Sequence, residues 1–124
     1  MNNILTNINE VPAFKTKDGS EIRELLAYRN SSVKNQSLAE ARLEPGQSTQ
    51  EHYHIKTEEI YYITDGHGLM RLAGEEFTVK PGDSIAIVPG QKHKITNTGA
   101  TLLKLLCMCA PCYEHDDTVI TEGP

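Results

Sequence analysis

The sequence has no uninterrupted apolar run longer than the six residues Leu105–Ala110, far short of the roughly 20 that a helix needs to cross a bilayer. It has no basic patch leading into an apolar stretch at its N-terminus. It opens Met1-Asn2-Asn3-Ile4, so no secretory signal is expected. It lacks an excess of positive charge: twelve Lys and Arg stand against seventeen Asp and Glu, a net charge of −5. That balance argues against nucleic acid as a partner and against an anionic membrane surface. Cysteine is scarce and odd in number, with Cys107, Cys109 and Cys112 crowded together. Such spacing is not a disulfide framework, and a reducing cytoplasm is the simpler expectation. With 124 residues the chain fits one domain and one hydrophobic core.

What is present in quantity is punctuation. Gly and Pro fall at Pro45-Gly46, Gly66, Gly68, Gly74, Pro81-Gly82, Pro89-Gly90, Gly99 and Pro111. Between them lie short runs of strand character: 49–54, 59–64, 69–73, 77–80, 84–88, 93–97 and 102–109. Short strands separated by turn signals at this spacing predict an all-β sandwich or barrel. The stretch 20–44 is ambiguous. Ala39-Glu40-Ala41-Arg42 are good helix formers, but Ser37, Ala39, Ala41 and Leu43 also alternate as one face of a strand, and strands are favoured because the rest of the chain is β. Residues 1–19 are expected as an N-terminal arm or edge strand, 20–112 as the barrel and 113–124 as a peripheral tail, all within one domain spanning 1–124.

One constellation carries chemistry. His52 and His54 flank Tyr53 in a predicted strand, so their side chains project from the same face. Glu59 opens the next strand and His93 a later one. Three imidazoles and a carboxylate suit a borderline divalent metal such as Fe, Mn, Ni, Cu or Zn, with positions left open for water, oxygen or substrate. A lone His-x-His is weak evidence, since most such pairs are surface residues. The framework around it is more specific. Gly46, five residues, His52-x-His54, four residues, Glu59, six residues and Gly66 make one pattern. Gly82, six residues, Pro89-Gly90, two residues, His93, three residues and Asn97 make a second.

With both patterns in place the chain resembles the cupin superfamily, through PGQSTQEHYHIKTEEIYYITDG (45–66) and PGDSIAIVPGQKHKITN (81–97). The resemblance implies a single-domain jelly-roll β-barrel, the cupin double-stranded β-helix, with His52, His54, Glu59 and His93 ligating one metal inside it. It resembles in particular the small mannose-6-phosphate-isomerase-like and dioxygenase-like cupins. Val88 stands where the second motif usually has Pro, and Pro89-Gly90 still make the turn. Glu58 is the other carboxylate that could serve, and Glu59 is preferred because it directly precedes Ile60-Tyr61-Tyr62.

Strand alternation nominates the pocket wall. Gln50 shares a face with His52 and His54, and Tyr61 shares one with Glu59. Both are candidate catalytic residues, against the alternatives of a rim amide and a core aromatic. Ile95 should line the pocket beyond His93. Tyr53 and Tyr62 point the other way, toward an expected homodimer interface. Leu103, Leu105, Cys107 and Cys109 share one face of the last strong strand. Both cysteines are expected to point inward, either as small core residues or beside the metal. A zinc site from Cys107, Cys109, Cys112 and His115 is disfavoured, because four ligands within nine residues are too cramped. His115-Asp116-Asp117 is read as solvated tail, although a tail can fold over a barrel mouth.

The expected function is an enzyme acting on a small organic molecule at the metal, by oxygenation or by Lewis-acid isomerase or lyase chemistry. The alternative is a cupin that binds or senses a metal or small ligand without turnover.

Overall fold

The structure, a computed structural model, describes residues 4–122; residues 1–3 of the expected arm and 123–124 of the expected tail lie outside them. The described residues form β1 (Ala13–Lys15), β2 (Glu21–Leu26), β3 (Ser37–Leu43), β4 (His52–His54), β5 (Glu58–Asp65), β6 (Gly68–Leu72), β7 (Glu75–Val79), β8 (Ser84–Ile87), β9 (His93–Asn97), β10 (Leu103–Ala110) and β11 (Thr118–Ile120), with one 3-10 turn at His115–Asp117. No helix among them is long and apolar enough to cross a membrane.

Two antiparallel sheets make up the jelly roll. One has six strands in the order β1-β2-β3-β10-β5-β8, the other five in the order β11-β4-β9-β6-β7. Their inner faces supply the core, which includes Leu43, Ile63, Met70, Ile95, Leu103 and Leu105. Alternation is clean in β5, where Glu59, Tyr61 and Ile63 are buried while Glu58, Ile60 and Tyr62 are exposed. It is equally clean in β10, where Leu103, Leu105, Cys107 and Cys109 are buried. Period-2 burial of this kind gives each strand one core face and one solvent-side face.

The ambiguous stretch is β structure. β3 pairs with β10 along its whole length, from Ser37 opposite Cys109 to Leu43 opposite Leu103. The local helix preference of Ala39–Arg42 is a few tenths of a kcal/mol per residue. A seven-residue ladder inside the core outweighs it.

The hairpin from β5 to β6 turns at Gly66, whose φ is +84°. A Cβ there would sit 2.6 Å from the Leu102 carbonyl oxygen, so only glycine fits the turn. Asn97 closes the second motif and is fully buried. Its amide donates to Leu43 O and Thr101 O, both at 2.8 Å, and its Oδ1 accepts from Gly99 N at 2.9 Å. It fixes the end of β9 to the opposite sheet.

The C-terminal segment is built into the second sheet. β11 pairs antiparallel with β4, placing Thr118 opposite His54 and Ile120 opposite His52. The Asp117 carboxylate accepts from Lys56 N at 2.9 Å and Thr57 N at 3.0 Å, which ties down the loop between β4 and β5. Lys17, from the β1–β2 turn, donates to Thr118 O at 2.8 Å. Arm and tail therefore meet beside the strand that carries His52 and His54.

Candidate metal centre

The short strand β4 projects His52 and His54 inward on either side of Tyr53. β9 starts at His93, directly opposite His52 in the antiparallel register. The three side chains are buried, and one ring nitrogen from each lies within 4.8 Å of the others. Glu59 comes from the facing sheet. Its Oε1 is 3.3 Å from His54 Nε2 and 3.5 Å from His93 Nε2. The structure thus brings together all four residues nominated by the two motifs, and leaves Glu58 on the exposed face of β5.

Each imidazole is held through its outer nitrogen. His52 Nδ1 is 2.8 Å from Gln50 O and His93 Nδ1 is 2.9 Å from Gln91 O. A carbonyl only accepts, so both Nδ1 atoms carry the proton. His54 Nδ1 is 3.1 Å from Thr118 Oγ1, and that hydroxyl donates its one proton to Glu114 O at 2.9 Å. Thr118 must then accept from His54. In the neutral tautomers all three Nε2 atoms turn a lone pair toward the cavity, the arrangement in which outer partners fix metal-ligating histidines.

Burial first, and then the neighbouring His93 imidazole, lower the His52 pKa against the pull of Asp18. For Glu59 burial pushes upward, and only positive charge beside it, on His54 and His93 or on an ion between them, would hold the carboxyl low. Glu59 Oε2 accepts from the Cys109 thiol at 3.4 Å, whereas Glu59 Oε1 and His93 Nε2 are buried with no hydrogen-bond partner among the described residues. Buried polar atoms ordinarily find partners. A divalent cation shared by these two atoms and the other imidazoles would satisfy both. Three nitrogens and an anionic oxygen are also a suitable donor set for a borderline transition metal. The residues present fit such an ion.

A cavity between the sheets opens onto this cluster. Tyr61, 4% exposed, lines it and meets the His93 ring edge-on at 5.9 Å. Ile95, Cys107 and Cys109 line it as well. The two cysteines therefore do face the cavity; Cys107 also packs in the core cluster, and Cys109 touches Glu59. All three cysteines are free. Among the described residues Cys107, Cys109, Cys112 and His115 do not converge as a second metal group. Gln50 is not among the residues lining the cavity. Its main chain serves the site instead, with its carbonyl orienting His52 and its N–H donating to Asp18 O at 2.8 Å.

Three contributors have no place in either motif. Thr118 sets the His54 tautomer. Tyr113 lines the cavity edge-on to His54 at 6.0 Å, and burial pushes its phenol up to about 12. Asp18 sets its Oδ2 3.5 Å from His52 Nε2. The sequence signals for them are faint: an Asp-Gly turn at 18–19 and a Thr-Val-Ile run at 118–120.

An antiparallel jelly roll with histidines from two strands and a facing glutamate at its centre defines a cupin-type barrel. A cupin-domain model matches residues 39–109, and the chain belongs to the cupin family. It is 49% identical over 119 residues to an uncharacterized protein of Methanocaldococcus jannaschii, covering 96% of this chain and 95% of that one. It is 35% identical over 88 residues to an oxalate-binding protein of Thermotoga maritima, covering 71% and 73%. The crystal structure of a predicted oxalate decarboxylase from Thermotoga maritima superposes with a TM-score of 0.77 at 28% identity, covering 87% of this chain and 99% of that one.

Proposed function

We propose that the chain is a metal-dependent enzyme acting on a small organic molecule, with His52, His54, Glu59 and His93 as the ligands of one divalent ion. The observation that carries this reading is the cluster of three buried imidazoles, each tied at Nδ1, with a glutamate oxygen beside His54 and His93 that has no hydrogen-bond partner among the described residues. An ion such as Fe, Mn, Ni, Cu or Zn bound there would supply Lewis acidity or, for a redox-active metal, oxygenation chemistry.

The remaining work falls to the cavity. Its wall is largely apolar, with Ile22, Ala41, Leu43, Ile95 and Leu105, so it would exclude water from a substrate and strengthen polar contacts made inside. Tyr61 stands beside His93 where its phenol can orient a substrate oxygen. The lining carries the carboxylates Asp18, Glu24 and Glu59 and no lysine or arginine. The absence of lysine and arginine from this lining disfavours sugar phosphates and favours a small substrate bearing a hydroxyl or carbonyl. The relative named for oxalate binding favours a second reading, a ligand-binding cupin without turnover. Steady turnover of any substrate excludes it, and tight binding without turnover supports it.

The same reading takes the whole chain as one functional unit and a homodimer as its assembly. Ile60 and Tyr62, 48% and 40% exposed on the outward face of β5, are suited to an interface. Three free cysteines suit a cytoplasmic setting.

The test is metal analysis of purified wild type and His93→Ala, followed by oxygen-uptake and isomerase assays on the Fe(II)- and Mn(II)-loaded protein. The expected result is about one ion per chain in wild type and none in His93→Ala. Unchanged metal content in His93→Ala would overturn the assignment.

A further inference from the structure

The turn between β1 and β2 holds a second carboxylate at the histidine cluster. Asp18 Oδ1 accepts from Thr16 Oγ1 at 2.7 Å, Ser20 Oγ at 2.7 Å and Ser20 N at 2.9 Å. Three donors fix one oxygen and leave the other directed elsewhere. That other oxygen, Oδ2, has no hydrogen bond among the described residues and lies 3.5 Å from His52 Nε2. The turn is also fastened to the site, since Gln50 N donates to Asp18 O and Gln50 O receives His52 Nδ1. Asp18 is largely buried, with 13% of its side chain exposed.

His52 Nδ1 donates to Gln50 O, which leaves Nε2 as the nitrogen that faces Asp18. An imidazole nitrogen and a carboxylate oxygen that face each other at this distance can hold one cation between them. The contact repeats what Glu59 Oε1 makes with His54 and His93, at 3.3 and 3.5 Å. Donor atoms bound side by side on one ion at about 2.1 Å are separated by about 3 Å, close to all three spacings.

We propose that Asp18 is a second anionic ligand of the metal centre, giving three imidazoles and two carboxylates. This rests on the four-residue reading above and adds to it a residue from a different part of the chain. Two carboxylates cancel the charge of a divalent ion, so the centre as a whole would not draw in anions. A harder donor set of this kind also shifts preference toward Mn and Fe relative to thiolate-seeking metals.

The experiment is Co(II) titration of wild type, Asp18→Asn and His93→Ala, followed by visible absorption and chelator competition with no substrate present. Asp18→Asn keeps the Oδ1 acceptor for Thr16 and Ser20 and places an amide toward His52. The expected result is at least about tenfold weaker Co(II) binding in Asp18→Asn, with a changed d–d spectrum. A wild-type spectrum and affinity in Asp18→Asn, with binding lost in His93→Ala, would overturn the Asp18 assignment alone. Binding retained in His93→Ala would overturn the metal centre itself. A measurement on wild type avoids dependence on the folding of a variant. The metal-minus-apo infrared difference spectrum is recorded with ¹³C-carboxyl aspartate incorporated. A metal-induced carboxylate band that moves with the label supports Asp18, and a difference spectrum insensitive to the label overturns it.

Discussion

The Nδ1 of His54 lies 3.1 Å from the hydroxyl of Thr118, 64 residues further along the chain. Thr118 passes its own proton to Glu114 O, so the C-terminal segment decides which His54 nitrogen faces the cavity. Thr118→Val removes that acceptor at nearly constant shape. It should lower metal affinity about tenfold, in the range seen for outer partners of metal-bound histidines. Thr118→Ser should restore most of it. Chelator competition on the three proteins measures this, and equal affinities would show that Thr118 is only a packing residue.

The second carboxylate in Glu58-Glu59 separates a ligand from a surface charge. Glu58 lies on the exposed face of β5 and Glu59 on the buried face. Glu59→Gln should abolish stoichiometric metal binding, because it removes the anion held between His54 and His93. Glu58→Gln should leave it within about twofold. Metal analysis after dialysis checks both, and loss in the Glu58 variant with retention in the Glu59 variant would reverse the assignment.

How legible these residues were depends on how far apart in sequence their determinants lie. Strand periodicity and turn chemistry suffice for β5, β8 and β9, because Gly66, Gly82 and Gly90 border these short alternating runs. The inward direction of Glu59 and Tyr61 follows from the same period. Gln50 shows where that rule stops. It shares parity with His52 but lies before β4 begins, and its main chain reaches the site instead of its side chain lining the cavity. Asp18 and Thr118 were not legible, because only the β1–β2 turn and the pairing of β11 with β4 bring them to the histidines. Their local sequences show a turn and a short β run but nothing about the facing partner. Residues 113–124 read as a peripheral tail because they are acidic, and the acidity carries no sign that the Asp117 carboxylate accepts from Lys56 N and Thr57 N.

Metal removal should destabilise the fold measurably. An ion that binds only the folded state adds about 2.7 kcal/mol when its free concentration is one hundred times Kd. For a chain of this length that is roughly 10 °C in Tm. Calorimetry with EDTA and with saturating Mn(II) measures the difference. His93→Ala should melt at the same temperature under both conditions, and an equal shift in that variant would place the stabilising ion elsewhere.

The two inward cysteines of β10 should answer differently to serine. Cys109 donates to Glu59 Oε2 at 3.4 Å, and a serine hydroxyl at the same place can still donate. Cys107 is packed in the core cluster with no hydrogen bond among the described residues. A hydroxyl buried there without a partner costs about 1–3 kcal/mol. Cys107→Ser should therefore lower apo-protein stability by about that amount in urea, while Cys109→Ser loses less. Valine reverses the order of damage at the metal centre. Cys109→Val leaves a buried carboxylate oxygen without its donor, a loss of about 1–3 kcal/mol. Because the carboxylate then has one partner fewer to orient it, metal affinity should fall in Cys109→Val and hold in Cys107→Val. Chelator competition beside urea unfolding separates the two effects. Equal metal affinity in both valine variants would mean that Cys109, like Cys107, does no more than fill the core.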